Sequence, residues 1–170
     1  MVAKDGTIRP GETAIELPDG FDAAVYFIGR IRTPWRERGE CPRQGDRLAG
    51  PECRVEIDVR WRDALCGIER NDELQILYWM NFARRDLVLQ MPRGRAAALG
   101  TFALRSPARP NPIASSLVTL LRVENATLVV RGLDCLDGTP LIDVKPSYNK
   151  PLSSPDEPAK QAEVRSPESE

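Results

Sequence analysis

The sequence of 170 residues contains no histidine, which excludes several kinds of active site. Histidine is the usual general base near neutral pH and a frequent metal ligand, so any acid–base catalysis would have to rely on other side chains. The four cysteines lack the Cys-x-x-Cys spacing of zinc sites. We therefore expect no bound metal, and we expect the cysteines to be reduced thiols that mostly pack inside the fold.

Long apolar runs are also absent. No stretch is long enough to cross a bilayer, and the opening residues MVAKDGTIRP lack the apolar segment of a signal peptide. We therefore expect a cytoplasmic protein with no membrane partner. Gly94 and Gly100 do not form the Gly-x-Gly-x-x-Gly turn of dinucleotide-binding folds, so a cofactor would have to be held by other loops.

An excess of charge of one sign is absent, because the net charge is −1, but the charges are unevenly distributed. Residues 151–170 carry five acidic and two basic side chains, a net charge of −3, which leaves +2 for the rest of the chain. Between Arg84 and Arg109 there are six arginines and a single acidic residue, Asp86. Such a cluster is either an ordinary solvated surface or a surface that faces phosphate groups, and the sequence leaves both interpretations open.

The remaining pattern is a series of short strands. Runs rich in β-branched and aromatic residues are bounded by Gly, Pro, Asn and Asp, and only residues 60–68 have apolar side chains along one helical face. Many short strands with little helix predict a mainly β fold, a single closed β-barrel. We expect a barrel domain at 21–150, a mobile N-terminal segment at 1–20 and a mobile acidic Pro/Ser-rich tail at 151–170. The predicted strands are 25–32, 54–59, 74–81, 86–90, 101–104, 116–123, 127–132 and 141–144, with a hairpin turn at Asn125 and Ala126.

A proline-rich segment, residues 105–113, reads Arg-Ser-Pro-Ala-Arg-Pro-Asn-Pro-Ile. Each proline fixes φ near about −65° and disfavours helix at the residue before it, so we expect a stiff, extended loop. A stiff loop holds Arg105, Arg109 and Asn111 in one arrangement and loses little entropy when it binds an anionic or polar ligand. A structural turn between strands is the alternative interpretation.

Two segments together resemble a known family. Residues 100–113 and residues 136–146, which read Leu-Asp-Gly-Thr-Pro-Leu-Ile-Asp-Val-Lys-Pro, closely match the signature segments of the TrmO/TsaA-like family, formerly called YaeB-like. Residues 28–35 and the Cys-Pro-Arg-Gln run at 41–44 also look like the opening of that family. The resemblance covers roughly residues 26–148. Members of the family are tRNA methyltransferases that act on threonylcarbamoyladenosine beside the anticodon.

The resemblance implies an S-adenosyl-L-methionine-dependent methyltransferase, commonly a homodimer, with tRNA as its partner and the exocyclic nitrogen of the modified adenosine as the methyl acceptor. The implied cofactor-binding residues are Pro42, Arg43, Gln44, Asn81, Phe82, Arg105, Ser115, Asp137, Gly138, Thr139 and Pro140. The expected substrate-binding residues are Arg84, Arg85, Arg109, Asn111 and Lys145. The candidates for the general base are Asp137, Asp143 and Tyr148, with no ground for choosing among them.

The sequence departs from the family where Asn81 and Phe82 replace a His-Gln pair. This difference keeps open a methyltransferase of the same fold with another acceptor. The arginine cluster by itself is compatible with a non-catalytic barrel that binds RNA or nucleotides. The Asp-Gly-Thr-Pro turn also has a plain structural interpretation. Asp143 and Lys145 share one face of a strand, so they form either an ion pair or a substrate contact.

Overall fold

Alternating apolar residues produce the longest strands of the fold. The computed structural model describes residues 8–147, and its strand at Glu73–Trp79 buries Leu74, Ile76 and Tyr78. Side chains alternate between the two faces of a strand, so this spacing turns one face toward a core. The strands are β1 (Thr13–Ala14), β2 (Gly29–Arg32), β3 (Cys53–Ile57), β4 (Glu73–Trp79), β5 (Leu87–Gln90), β6 (Leu99–Gly100), β7 (Ile113–Glu124), β8 (Thr127–Arg131) and β9 (Pro140–Pro146).

Six of these strands close into a barrel in the order β2, β3, β8, β7, β4, β9. Every neighbouring pair is antiparallel, and β9 completes the barrel by pairing Leu141 with Gly29 and Pro140 with Arg30 of β2. Closure removes the exposed edges that an open sheet would leave. The predicted mainly β fold with a single closed barrel is therefore confirmed.

The interior of the barrel is filled mainly by aliphatic side chains from all six strands. Burying one such side chain stabilises the folded state by about 1.5–3 kcal/mol relative to leaving it exposed. All four cysteines are free thiols, and they differ in exposure: Cys53 and Cys135 are buried in the core, Cys41 is half-buried and Cys66 is exposed. The predicted packing role thus applies to the first three and not to Cys66.

A smaller, three-stranded sheet is formed by β1, β5 and β6. Its first strand belongs to the segment that the sequence predicts to be mobile, and Ile15 N–H continues the contact by donating to the carbonyl of Asp86 at 2.9 Å. Residues 1–7 and 148–170 lie outside the described residues, and they include Tyr148 and the whole predicted tail. The domain boundaries therefore stay a prediction.

The structure differs from the sequence prediction in several short segments. Residues 25–28 were predicted to begin a strand, but β2 begins at Gly29, and β1 and β6 were not predicted. Residues 101–104 were expected to be a strand, but Thr101–Ala103 is a 3₁₀ helix, because the chain bonds locally, with Leu104 N–H donating to the carbonyl of Thr101. The predicted helix at 60–68 is a 3₁₀ helix, Val59–Leu65, rather than a regular α-helix. The predicted hairpin turn is confirmed, with Asn125 at φ 55° between β7 and β8.

Candidate functional site

The proline-rich loop at 105–112 is fastened by its own arginine. The Arg109 guanidinium donates to the carbonyls of Leu104 and Ser106, at 2.5 and 3.0 Å. Prolines provide no N–H donor, so a loop rich in proline needs side-chain donors to satisfy its carbonyl groups. Arg109 supplies them, and the loop is held in one conformation.

Arg105 is an exposed cation on this loop and is anchored to the barrel wall. Its Nη2 donates to the carbonyl of Ser115 at 3.2 Å, and Ser115 Oγ accepts from Gln75 Nε2 at 2.8 Å. Ser115 lies on β7, where it pairs with Leu77 of β4. An open cavity of about 540 Å³ begins here, and Arg105 and Arg43 both line it. Two residues from separate predicted cofactor segments therefore meet at one cavity.

The turn at 137–140 forms backbone hydrogen bonds with β2 and with the residues that follow β2. The N–H groups of Asp137 and Gly138 donate to the carbonyls of Trp35 and Ile31, at 2.7 and 2.8 Å. Gly138 has a φ of 77°, where glycine is favoured, and a Cβ atom at this position would meet nothing within 4 Å. The backbone conformation therefore favours glycine, and the surface above it is open. Thr139 and Pro140 are buried below the turn.

Both carboxylates predicted as base candidates already have protein partners. Thr33 N–H donates to Asp137 Oδ1 at 3.2 Å, and Arg32 Nη1 lies 3.8 Å from Asp137 Oδ2. Asp143 Oδ2 lies 2.6 Å from Lys145 Nζ. Of the two interpretations of Asp143 and Lys145, the ion pair is the one that the structure contains.

A carboxylate that the sequence analysis missed lies between these segments. Asp134 Oδ1 accepts hydrogen bonds from Tyr78 Oη and Ser116 Oγ, both at 2.6 Å. The carbonyl of Asp134 accepts from the Cys41 thiol at 2.9 Å. Asp134 Oδ2 has no hydrogen-bond partner in the described part of the chain. One residue thus joins β4, β7 and the segment that begins with Cys41, and keeps one oxygen uncommitted.

Burial controls the acid–base behaviour of the groups around Asp134. The pKa of Tyr78 is raised well above its ordinary value, first by burial and then by the charge of Asp134. Burial and the same charge raise the pKa of Cys41 to about 11. Both groups therefore remain protonated at neutral pH, so they act as hydrogen-bond donors and not as bases or nucleophiles.

Hydrogen bonds and chain neighbours together link the two signature segments. Arg105 reaches the carbonyl of Ser115, the neighbouring Ser116 donates to Asp134, and Asp134 precedes the turn at 137–140. The Cys-Pro-Arg-Gln run joins the same set through its cysteine thiol, with its proline half-buried and its arginine and glutamine exposed. The segments expected to hold a cofactor thus converge beside the same strands.

Several of the arginines expected to bind substrate are engaged inside the protein. Arg84 Nη2 lies 2.7 Å from Asp86 Oδ2, which lowers the pKa of that carboxyl group. Arg85 lies over the rings of Phe21 and Trp79, 5.1 and 5.5 Å from their centroids. Arg109 is the residue that fastens the proline-rich loop. These contacts hold the local structure together and leave each side chain less free to reach a ligand.

The remaining predicted residues lie near these two loops. Asn81 and Phe82 form the turn after β4, and the carbonyl of Phe82 accepts from Arg38 Nη2 at 2.7 Å. Asn111 Oδ1 accepts a long hydrogen bond of 3.5 Å from Arg85 Nη2.

Among residues 8–147, no group of three or more His, Cys, Asp or Glu side chains is placed to hold a metal ion. None of the helices in that range is long and apolar enough to span a membrane.

Comparison with known proteins connects this arrangement to a family. The sequence profile of the tRNA-methyltransferase O N-terminal domain matches residues 30–151. The chain is 50% identical over 148 residues to VirR of Rhizobium radiobacter, described as a probable S-adenosyl-L-methionine-binding protein, and the alignment covers 86% of this chain and 84% of VirR. It is 36% identical over 146 residues to the tRNA (adenine(37)-N6)-methyltransferase of Escherichia coli K12, covering 80% of this chain and 62% of that enzyme.

Solved structures show the same likeness. The crystal structure of TrmO from Pseudomonas aeruginosa superposes with a TM-score of 0.61 at 29% identity, and the match covers 84% of this chain and 63% of that one. This chain therefore spans less than two thirds of the solved protein. Sequence profile, sequence identity and fold agree, and the chain belongs to the tRNA-methyltransferase O family, which it matches through the N-terminal domain.

Proposed function

We propose that this protein is an S-adenosyl-L-methionine-dependent tRNA methyltransferase that modifies the exocyclic nitrogen of threonylcarbamoyladenosine beside the anticodon. The names of the E. coli and R. radiobacter relatives support the reaction and the methyl donor. The observation that carries the proposal is the convergence at Asp134. The thiol of Cys41 donates to Asp134, and Arg105 donates to Ser115, the neighbour of the Asp134 partner Ser116. The turn at 137–140 follows Asp134 along the chain.

The residues around Asp134 and the cavity beside Arg105 fit a donor that has a positively charged sulfur and an amino acid group. The uncommitted Oδ2 of Asp134 supplies negative charge, and the open surface above Gly138 leaves room for a ligand. Arg43 and Arg105 supply donors suited to a carboxylate. When bound, the donor supplies an electrophilic methyl group. We propose that the residues predicted from the resemblance, with Asp134 added, hold it.

Methyl transfer to nitrogen depends mainly on alignment, and good orientation of reactants lowers a barrier by about 7–11 kcal/mol. The fastened loops provide that alignment. The acceptor nitrogen must also lose a proton, and Asp134 has an oxygen free to accept it, whereas Asp137 and Asp143 already face Arg32 and Lys145. We therefore place proton acceptance at Asp134 Oδ2, ahead of the two carboxylates predicted from the sequence.

We also propose that the protein works as a cytoplasmic homodimer with tRNA as its partner. The resemblance supports the dimer, because family members are commonly homodimers, and a tRNA substrate supports the cytoplasm. Light scattering tests the dimer: the expected mass is twice the 19.0 kDa of the chain. A mass of one chain at all protein concentrations would contradict it.

Transfer of a labelled methyl group tests the proposed activity. The protein is given labelled S-adenosyl-L-methionine with tRNA that carries threonylcarbamoyladenosine, or with the same tRNA carrying unmodified adenosine. We expect label only in the first tRNA, located at the exocyclic nitrogen by mass spectrometry of the nucleosides. No transfer to the modified tRNA contradicts the proposed acceptor, and no binding of the donor by calorimetry contradicts the proposed cofactor.

A methyltransferase with another acceptor is the second candidate function. Phe82 places an aromatic ring, 46% exposed, in the turn after β4, where the family commonly has an amide side chain. A changed side chain here alters the surface that an acceptor meets. Transfer of label to other RNA, with none to the modified tRNA, would support this function. Binding of RNA without binding of the donor would instead support a non-catalytic barrel.

A further inference from the structure

The cavity beside Arg105 has a cationic side that extends beyond the predicted cofactor residues. Arg93 and Gln90 line it together with Arg43 and Arg105, and its volume is about 540 Å³. We propose that this side binds an oxyanion of the methyl acceptor, either an RNA phosphate or the carboxylate of the threonylcarbamoyl group. The inference rests on the proposed function, because it assigns a subsite of the same reaction.

Three arginines at this cavity have their charge available for a ligand. Arg43, Arg93 and Arg105 are exposed, and none of them forms an ion pair with a carboxylate of the described chain. Arg9 also lines the cavity, but it is paired with Glu12. A guanidinium group presents several N–H donors in a planar fork that matches carboxylate and phosphate oxygens. The cavity is therefore suited to an anion.

Gln90 gives this cavity one acceptor of fixed direction. Its side chain is 5% exposed, and its Nε2 donates to Thr101 Oγ1 at 2.8 Å and to the carbonyl of Ala108 at 2.6 Å. Thr101 Oγ1 itself donates to the carbonyl of Leu87 at 2.7 Å, so it has to accept from Gln90, and this fixes the orientation of the amide. Gln90 Oε1 has no partner among the residues described, which leaves it to accept an N–H or O–H group of the ligand.

The sign of the charge assigns the side of the cavity at Arg93 to the acceptor, while Arg43 and Arg105 face the carboxylate of the methyl donor. The proposed donor is a cation overall, because its positive sulfur adds to a zwitterionic amino acid group. Arginines without acidic partners repel a cation and attract an oxyanion. Arg84 and Arg109, expected from the sequence to bind substrate, are occupied by Asp86 and by the proline-rich loop. Arg93, which is not among the predicted cofactor residues, is therefore the arginine of this cavity that remains for the substrate.

Replacing Arg93 with glutamine tests the proposal, and Arg95→Gln is the matched control. Arg95 is an exposed arginine two positions away that does not line the cavity. The affinity of each variant is measured for modified tRNA by fluorescence anisotropy and for S-adenosyl-L-methionine by calorimetry, and methyl transfer is measured in parallel. We expect about tenfold weaker tRNA binding for Arg93→Gln, from the loss of a charged hydrogen bond. We expect donor affinity to be unchanged, wild-type behaviour for Arg95→Gln, and partial recovery for Arg93→Lys, which keeps the charge.

Two further measurements distinguish the sources of the oxyanion. If Arg93 binds a phosphate, the variant weakens the binding of modified and unmodified tRNA equally, and the slope of log K against log salt falls by about 0.7–0.9. If Arg93 binds the carboxylate, only the binding of modified tRNA weakens. The free nucleoside threonylcarbamoyladenosine then competes with tRNA for the wild-type protein and not for the variant.

Three results would overturn the proposal. They are an unchanged tRNA affinity in Arg93→Gln, an equal loss of donor affinity in that variant, or an equal loss of tRNA affinity in Arg95→Gln, which would report general surface charge. Failure of the proposed function is recognised separately, in the wild-type protein. A wild-type protein that binds the donor but transfers no methyl group to modified tRNA contradicts the function, whatever the variants do.

Discussion

Asp134 accepts hydrogen bonds from residues that are remote in sequence. Tyr78 is 56 positions away, Ser116 is 18 positions away, and Cys41 is 93 positions away. Tyr78 and Ser116 donate to the carboxylate, and hydrogen bonds to a charged group contribute about 1.5–3 kcal/mol each. The carboxylate therefore has a structural role through Oδ1 as well as the proposed chemical role through Oδ2, and a substitution has to separate the two.

Asp134→Asn makes that separation. An amide oxygen can still accept from Tyr78 and Ser116, so we expect the melting temperature to change by less than about 4 °C. Methyl transfer should fall by about 10²–10⁴-fold, because the group that takes the proton is lost. Circular dichroism and single-turnover transfer are the measurements. Ser116→Ala is the control, since it removes a hydroxyl donor and leaves the carboxylate; turnover by Asp134→Asn equal to that of the wild type would exclude the chemical role.

The sequence identified Asp137 and Asp143 but not Asp134, and the reason is physical. Asp137 and Asp143 lie in a recognisable motif, whereas the proposed role of Asp134 depends on its hydrogen bonds to residues on other strands of the barrel. Spacing along the chain contains no information about such contacts. The same holds for the arginines, whose number was evident from the sequence. Only the fold shows that Arg109 donates to carbonyl groups of its own loop, whereas Arg93 has no carboxylate partner in the described chain.

Among the elements, the strands of the barrel and the hairpin turn between β7 and β8 were predictable, whereas the 3₁₀ helix at Thr101–Ala103 was not. β4 alternates buried and half-buried side chains along its whole length, and this period is visible in the sequence. Residues 101–104 have the composition of a strand, but the buried Thr101 donates to Leu87 and accepts from Gln90, which favours the local turn. A side chain that satisfies backbone and side-chain groups together overrides strand propensity.

Arg109→Ala tests how far the proline-rich loop depends on its own arginine. The change removes the donors to the carbonyls of Leu104 and Ser106, so we expect the free energy of unfolding to fall by about 2–3 kcal/mol. Urea denaturation measures it. Arg62→Ala is the control, because Arg62 is exposed and its ion-pair distance to Asp63 is 3.9 Å; this change should cost less than about 0.5 kcal/mol. Equal stability of the two variants would show that the prolines alone hold the loop.

At the scale of the whole molecule, the barrel core contains protonated groups that ionise in alkali. Burial raises the pKa of Cys53 from 9.0 to about 11, and the pKa values of Cys135 and Tyr78 are raised by burial as well. A pKa that is higher in the folded state than in the unfolded state means that the unfolded chain loses its proton first. The stability that these groups contribute is complete below pH 9 and declines as the pH rises toward 11.

We therefore expect the free energy of unfolding to be nearly constant from pH 7 to about pH 8.5 and to fall steadily above about pH 9. Urea denaturation at closely spaced pH values measures the decline. Cys53→Ala should make it shallower, because one titrating group is removed from the core. A free energy of unfolding that stays constant to pH 10.5 would contradict the raised pKa values.

The hydrogen bonds that hold both loops have a consequence for ligand binding and release. The turn at 137–140 shares its backbone hydrogen bonds with β2, and the proline-rich loop is tied down by Arg109. We therefore expect neither loop to open and close as a lid. Ligands should enter and leave through an opening that is already present, without a gating motion.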